Sequence, residues 1–224
     1  MTKKFCLSFF ALVLAAALLC GCNEASTPGR TDTEKTVDTA VDGIHFSASN
    51  EKTNYVLLTI GNSDGGGRII IELYPDVAPT TVENFKNLVQ QKFYDGIIFH
   101  RVIENFMIQA GDPTGTGYYG SDANIKGEFA ANGFENNLLH TRGVVSMARG
   151  KSYDSASSQF FICQADSPHL DGQYAAFGKV IAGMSTVDSI ASVKTNANDK
   201  PLKEQKILSA QFINIISYEP DTEA

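Results

Sequence analysis

The stretch Phe99-His100-Arg101-Val102-Ile103-Glu104-Asn105-Phe106-Met107-Ile108-Gln109-Ala110-Gly111-Asp112 decides how the chain is read. Two apolar runs, Ile97 to Ile103 and Phe106 to Gln109, flank Glu104-Asn105 and predict a pair of strands joined at a short tip. Arg101 stands inside the first run. His100 beside it faces the other way in a regular strand, because successive side chains alternate between faces. On its own, an arginine in an apolar strand is commonly an edge residue whose stem lies along apolar surface. Phe106 and Met107 on their own are ordinary core. Only the surrounding order gives these residues another meaning.

Outward from this pair the chain continues to read as strands. Tyr55 to Ile60 and Arg68 to Tyr74 are β-branched runs separated by the Gly-rich segment 61–67, which predicts a hairpin with a loop longer than two residues. Further runs follow at Val144 to Ala148, Phe160 to Gln164, Ala176 to Val180 and Ile207 to Ser217. Turn formers punctuate most of them, which indicates an antiparallel barrel or sandwich and not alternating strand–helix units. Two segments depart from the pattern. After Pro79, the residues Val82, Phe85, Leu88 and Val89 share one helical face, with Thr80 or Thr81 as the expected N-cap and Glu83 placed in the first turn. A shorter helix is expected over Ser185 to Ala191, with Val187 and Ile190 inward.

The N-terminus carries an address. Lys3 and Lys4 precede an almost unbroken apolar run from Phe5 to Cys20, short for a bilayer span and suited to a signal-peptide core. The run ends in Leu19-Cys20-Gly21-Cys22, which resembles a bacterial lipobox; by that resemblance residues 1–21 are removed and Cys22 is lipidated. An ordinary cleaved leader with an incidental cysteine is the plainer alternative. Residues 22–52, polar and rich in Ser, Thr, Asp and Glu, read as a linker. If flexible, its roughly 30 residues reach on the order of 30 Å. Whether the segment 43–46 docks on the domain is open at this level. The domain itself is expected over 53–218, with 219–224 as a tail. The expected location is the extracytoplasmic face of a cell membrane, held by the lipid.

Cysteine usage agrees with this. With Cys6 and Cys20 in the leader and Cys22 lipidated, Cys163 is left without an internal partner, in an apolar run that suggests a buried, inert thiol. The formal charge of −7 and the lack of any basic run argue against a nucleic-acid partner.

The quoted stretch resembles the signature strand pair of the cyclophilins. Four later segments keep that family's order: Gly143-Val144-Val145-Ser146-Met147-Ala148, Ser158-Gln159-Phe160-Phe161-Ile162, Leu170-Asp171-Gly172 and Phe177-Gly178-Lys179-Val180. The resemblance spans about Thr53 to Tyr218. It implies a mainly β fold, a closed eight-stranded antiparallel barrel capped by two α-helices. It also implies a peptidyl-prolyl cis-trans isomerase that needs no cofactor or metal and acts on unfolded or extended proline-containing polypeptides. The family's catalytic arginine falls on Arg101, with Gln109 addressing the substrate backbone. Its substrate-binding positions fall on Phe106, Met107, Ala148, Arg149, Gln159, Phe161, His169, Leu170 and Tyr174. Phe106, Met107, Phe161 and Leu170 would form the pocket for the proline ring.

The sequence departs from the best-known eukaryotic pattern in places. Glu104-Asn105 replaces a Pro-Gly tip, Ala110 a glycine, and Arg149 an asparagine. His169 stands for a tryptophan that helps bind cyclosporin, and Tyr174 for a histidine. These changes predict weak cyclosporin binding with catalysis retained.

Other patterns carry less. Gly115-Thr116-Gly117-Tyr118-Tyr119-Gly120 fits G-x-G-x-x-G, but lacks the helix and the later acidic residue that dinucleotide binding needs, and reads as a flexible loop. The four histidines show no metal-ligand spacing, and no G-x-S-x-G elbow is present. Two other classes stand beside the isomerase: a non-catalytic module or holdase gripping proline segments, and a solute-binding lipoprotein, which would call for a larger two-lobed chain. A monomer is the default.

Overall fold

A computed structural model describes residues 39–63 and 65–219. In chain order the elements are β1 (Thr39–Val41), β2 (Ile44–Ala48), β3 (Tyr55–Asn62), β4 (Gly65–Leu73), α1 (Pro79–Gln90), β5 (Arg101–Ile103), β6 (Met107–Ala110), β7 (Val144–Met147), β8 (Phe160–Cys163), β9 (Ala176–Ala182), α2 (Met184–Ala191) and β10 (Lys206–Tyr218). All pairings are antiparallel, in the order β1-β2-β10-β3-β4-β9-β7-β8-β6-β5. The described residues are thus mainly β with two α-helices, as expected.

Several sequence expectations need correction. Among the described residues the paired strands number ten, and the ladder does not close as the implied eight-stranded barrel would. The run Ile97 to Ile103 is strand only from Arg101. Before that point it meets β10 through an isolated bridge, Ile98 to Lys206, and the preceding Gly96 donates its N–H to the Ile207 carbonyl at 2.7 Å. The two extra strands come from the stretch assigned to the linker. Residues 39–48 form β1 and β2, and β2 pairs with β10 from Ile213↔Ala48 to Tyr218↔Ile44. Between β3 and β4 the pairing runs on through Gly61↔Gly66 and Asn62↔Gly65, so the connection is tighter than predicted. Glycine lacks a side chain but keeps its ladder N–H and C=O.

The strands bury their inner face around α1. Val82, Phe85, Leu88 and Val89 of α1 are all buried, as their spacing predicts. The Phe85 ring centroid lies 5.0 Å from Tyr94, 5.4 Å from Phe160 and 5.1 Å from Phe177. The helix start differs from expectation. The N-cap is Ala78, Pro79 opens the helix, and neither threonine caps it through its side chain. The buried Glu128 carboxylate instead accepts the backbone N–H of Thr80 at 3.0 Å and of Thr81 at 2.8 Å, and the Thr81 hydroxyl at 2.7 Å. A distant anion thereby satisfies the orphan donors of the first turn and opposes the positive end of the helix dipole. Glu83 lies beyond that turn and pairs with Lys52 at 2.8 Å.

α2 begins where Gly183 takes φ +90°, and a Cβ there would meet the Arg68 carbonyl oxygen at 2.0 Å. Val187 and Ile190 face inward, as expected.

Candidate active site

Register builds the site. Arg101 of β5 lies opposite Gln109 of β6, Gln109 opposite Phe161 of β8, and Phe161 opposite Ser146 of β7. Cross-strand partners share a face, so these four residues form one row on the outer side of the sheet. One step along, Ile103, Met107 and Cys163 form a parallel row. Their neighbours Val102, Ile108, Ala110, Phe160 and Ile162 point into the core. Met107, Phe161, Cys163 and Leu170 make a separate small cluster, with Phe106, Ala148 and Tyr174 packed against it.

Above that cluster opens a cavity of about 280 Å³. Arg101 and Gln109 stand at one side; Phe106, Met107, Phe161 and Leu170 supply apolar wall; Ala148, Arg149 and Tyr174 complete it. Nine of the residues proposed on the resemblance thus converge. Gln159 lines an adjoining cavity of about 570 Å³ that shares Gln109, Ala148 and Arg149 with the first. His169 lines neither; it packs its ring on Phe106, centroids 5.2 Å apart. His100, beside Arg101, is 5% exposed and lines neither cavity.

The polar groups are held from behind. The Gln109 amide donates to the Gln159 side-chain oxygen at 2.8 Å, and the Gln159 amide donates to the carbonyls of Gly117 at 3.1 Å and Tyr119 at 2.7 Å. Those carbonyls belong to the Gly-rich loop. It is tied down by Asp112, whose carboxylate accepts the backbone N–H groups of Thr114, Thr116, Gly117 and Tyr119. Burial alone raises the Asp112 carboxyl; the hydrogen bonds from Thr114, Tyr119 and Gly117 outweigh it and hold the group down at about 2. The loop read as flexible is a fixed support for Gln159.

Among the described residues Arg101 makes one ion pair, Nε to Asp199 Oδ2 at 3.4 Å. Arg149 is caged: its guanidinium carbon lies 5.2, 5.0 and 4.6 Å from the ring centroids of Phe129, Tyr153 and Tyr174. It also donates to the carbonyls of Gln173 and Gly150. Cation–π attraction in such a cage fixes Tyr174, whose ring meets Phe161 edge-on at 5.9 Å.

No local pattern in the sequence pointed to the support beneath Phe161. His140 Nδ1 lies 3.0 Å from Asp171 and its Nε2 lies 3.0 Å from the Ser146 hydroxyl. The ring lies nearly parallel to Phe161, centroids 6.0 Å apart. A Ser–His–Asp set is therefore present, yet Ser146 is fully buried and no carbonyl substrate can reach it. Burial lowers the His140 pKa, against the raising influence of Asp171. Cys163, also in this layer, is fully buried, and burial pushes its thiol up to about 12, consistent with an inert residue.

Comparison with known proteins bears on this geometry. A family model described as cyclophilin type peptidyl-prolyl cis-trans isomerase/CLD matches residues 55–212. The chain is similar to "Peptidyl-prolyl cis-trans isomerase-like 1" of Gibberella zeae, 45% identical over 148 residues, which are 66% of this chain and 90% of that protein. It is similar to "Peptidyl-prolyl cis-trans isomerase ppi1" of Schizosaccharomyces pombe, 43% identical over 145 residues, or 64% and 92% of the two chains. Among solved structures it resembles a Cryptosporidium parvum cyclophilin type isomerase crystallised in the presence of the dipeptide Ala-Pro. That match has a TM-score of 0.63 at 31% identity, covering 73% of this chain and 99% of the other.

Proposed function

The chain belongs to the cyclophilin-type peptidyl-prolyl cis-trans isomerase family, and from that membership we propose that Arg101 and Gln109 catalyse X-Pro rotation over the cavity between them and Tyr174. The enzyme class follows from the relatives; the residue roles are our reading. One observation carries it: a cation and an amide stand side by side across β5 and β6, at the edge of an apolar cavity.

No covalent bond is made or broken in the reaction. Amide resonance sets a barrier of roughly 18–20 kcal/mol, so exchange without a catalyst takes tens to hundreds of seconds. A catalyst need only bind the twisted amide better than the planar one. On twisting, the prolyl nitrogen regains a lone pair and becomes an acceptor. Arginine suits that moment because it stays protonated and presents its donors in a rigid fork. A preorganised donor in a water-poor site lowers a barrier by about 2.7–4 kcal/mol, roughly 10²–10³ in rate. Phe106, Met107, Phe161 and Leu170 hold the ring and lower the dielectric around the guanidinium, while Gln109, fixed by Gln159, holds the flanking backbone.

The substrates we propose are exported proline-containing polypeptides whose folding the enzyme assists. Support for the location comes from Lys3-Lys4, the apolar run and Leu19-Cys20-Gly21-Cys22, all of which lie outside the described residues. The protein is read as a monomer lipidated at Cys22. The Ile98–Lys206 bridge supports reading the sheet as rolled towards closure. The chain from residue 22 should accelerate exchange in a proline tetrapeptide, and Arg101→Ala should lose roughly 10²–10³ of kcat/KM. An inactive wild type would leave a proline-binding module; equal activity in both would remove Arg101 from the mechanism. Radiolabelled palmitate incorporation that survives Cys22→Ser would refute the anchor.

A further inference from the structure

The segment between α2 and β10 is bound into a hairpin-like loop. Thr195 and Pro201 form a bridge, and Leu202 N–H donates to the Lys194 carbonyl at 2.9 Å. Its tip is a tight turn: Asn196 N–H donates to the Lys200 carbonyl at 2.8 Å and Asp199 N–H to the Asn196 carbonyl at 3.1 Å. The Asn196 side-chain oxygen accepts the N–H groups of Asn198 and Lys200. Asp199 takes φ +58° at this tip, a left-handed conformation in which aspartate is one of the better-tolerated side chains. Two contacts dock the tip on the site. The Asp199 carbonyl accepts Val102 N–H at 2.8 Å, and Lys200 Nζ donates to the Gly115 carbonyl at 2.8 Å. The carboxylate is thereby delivered beside the residue next to Val102, with Oδ2 3.4 Å from Arg101 Nε.

Both partners are 43% exposed, and an exposed ion pair at this distance stabilises a fold little. Its geometry has a different consequence. Arg101 sits on β5, at the end of the sheet, with a long stem and many rotamers. The carboxylate attracts the guanidinium at its Nε edge, the side away from the two Nη groups. Neither Nη group gives a hydrogen bond to a protein acceptor among the described residues, so both donors stay available to substrate.

We propose that Asp199 is a positioning residue for isomerisation, holding Arg101 so that its Nη donors address the prolyl nitrogen. This rests on the reading of Arg101 given above. The twisted amide gains most from a donor already aimed, so the loss on removing Asp199 falls on kcat more than on KM.

The test is a set of variants of the chain from residue 22, assayed on a proline tetrapeptide. Asp199→Gly removes the carboxylate without asking another side chain to hold φ +58°. It should lower kcat/KM roughly tenfold, mostly in kcat, with KM within about twofold. Asp199→Asn keeps an oxygen acceptor and tolerates the same backbone, and should recover to within about threefold of wild type. In an Arg101→Ala background, Asp199→Gly should cost nothing further. Unchanged or raised kcat in Asp199→Gly, with Arg101→Ala impaired, overturns this proposal alone; an Arg101→Ala enzyme as active as wild type overturns the reading beneath it. Should Asp199→Gly fail to fold, the Nε–H resonance of Arg101 in the unaltered chain decides: slower solvent exchange than Arg68 supports the pairing, equal exchange overturns it.

Discussion

The outer side of the sheet carries two small apolar clusters, and among the described residues a hairpin covers only one. The first comprises Ile44, Phe46, Leu57, Ile70, Ala182 and Ile213, with Leu57, Ile70 and Ile213 contributed by the outer faces of β3, β4 and β10. The β1–β2 hairpin lies on it, held at its turn by Gly183 N–H donating to the Asp42 carboxylate at 2.7 Å. The second is the cluster of Met107, Phe161, Cys163 and Leu170. No strand among the described residues covers it; its upper side is the cavity beside Arg101 and Gln109. Apolar surface covered by the chain stabilises the fold, whereas the same surface left open with two polar groups at its edge is what an apolar ring with an adjacent amide can fill.

That contrast is most directly broken by deleting the hairpin. A chain beginning at residue 50 loses Ile44 and Phe46 and uncovers Leu57, Ile70 and Ile213. Burial of the two lost side chains is worth roughly 1.5–3 kcal/mol each, so urea unfolding should show a loss of about 3–6 kcal/mol. Isomerase activity below the unfolding transition should match that of a chain beginning at residue 39. An unchanged midpoint would mean that the hairpin adds nothing to the fold.

Single substitutions sharpen the same contrast. Phe46 is 3% exposed, and Phe46→Ala should cost about 3–4 kcal/mol of stability with kcat/KM intact. Phe106 is only partly buried, so Phe106→Ala should cost about 1 kcal/mol or less. Its kcat/KM should fall roughly 10–100-fold, the equivalent of ~1.5–3 kcal/mol of lost ring binding. If both variants lose stability and activity together, the two clusters are not separable.

The layer beneath the open cluster also brings a pH dependence through His140. Burial lowers the His140 pKa below the ordinary value of 6.5, so near and below that value the unfolded chain binds more protons than the folded one. Stability is therefore full above about pH 6.5 and falls as pH drops through the lowered folded value. His100, likewise lowered by burial, adds in the same direction. The urea midpoint should fall between pH 7.5 and pH 5.5, and His140→Gln, which can hydrogen-bond but does not titrate, should show a smaller fall. An identical fall in the variant would assign the dependence elsewhere.

The two clusters also differ in how far the sequence foretold them. The open one was legible because its residues alternate along strands whose order resembles a known family: Arg101, Gln109 and Phe161 meet in one row because of that register. The hairpin was not, since its two runs are only three and five residues long and become strands by pairing, β1 with β2 and β2 with the distant β10. A signal was nevertheless present in Ile69-Ile70-Ile71 and Val56-Leu57-Leu58, unbroken apolar runs of the kind found when both faces of a strand are covered. Glu128 at the start of α1 and Asp199 beside Arg101 were illegible for a different reason. Each acts on a residue at least 47 positions away, through a contact that no local period encodes.

The smallest effect concerns the rim of the open cluster. His169 lies outside the cavity and meets it only through Phe106, so exchanging its ring should alter catalysis little. His169→Trp should leave kcat/KM within about twofold, while cyclosporin inhibition tightens roughly tenfold, because indole adds apolar area and an N–H donor at the rim. Inhibition that does not change would move the cause of weak binding to Tyr174 and Arg149. Those two are locked together at 4.6 Å and cannot reshape the wall independently. A double substitution, Arg149→Asn with Tyr174→His, would then be needed to open it, and either single change should achieve less than half of the pair's effect on a logarithmic scale.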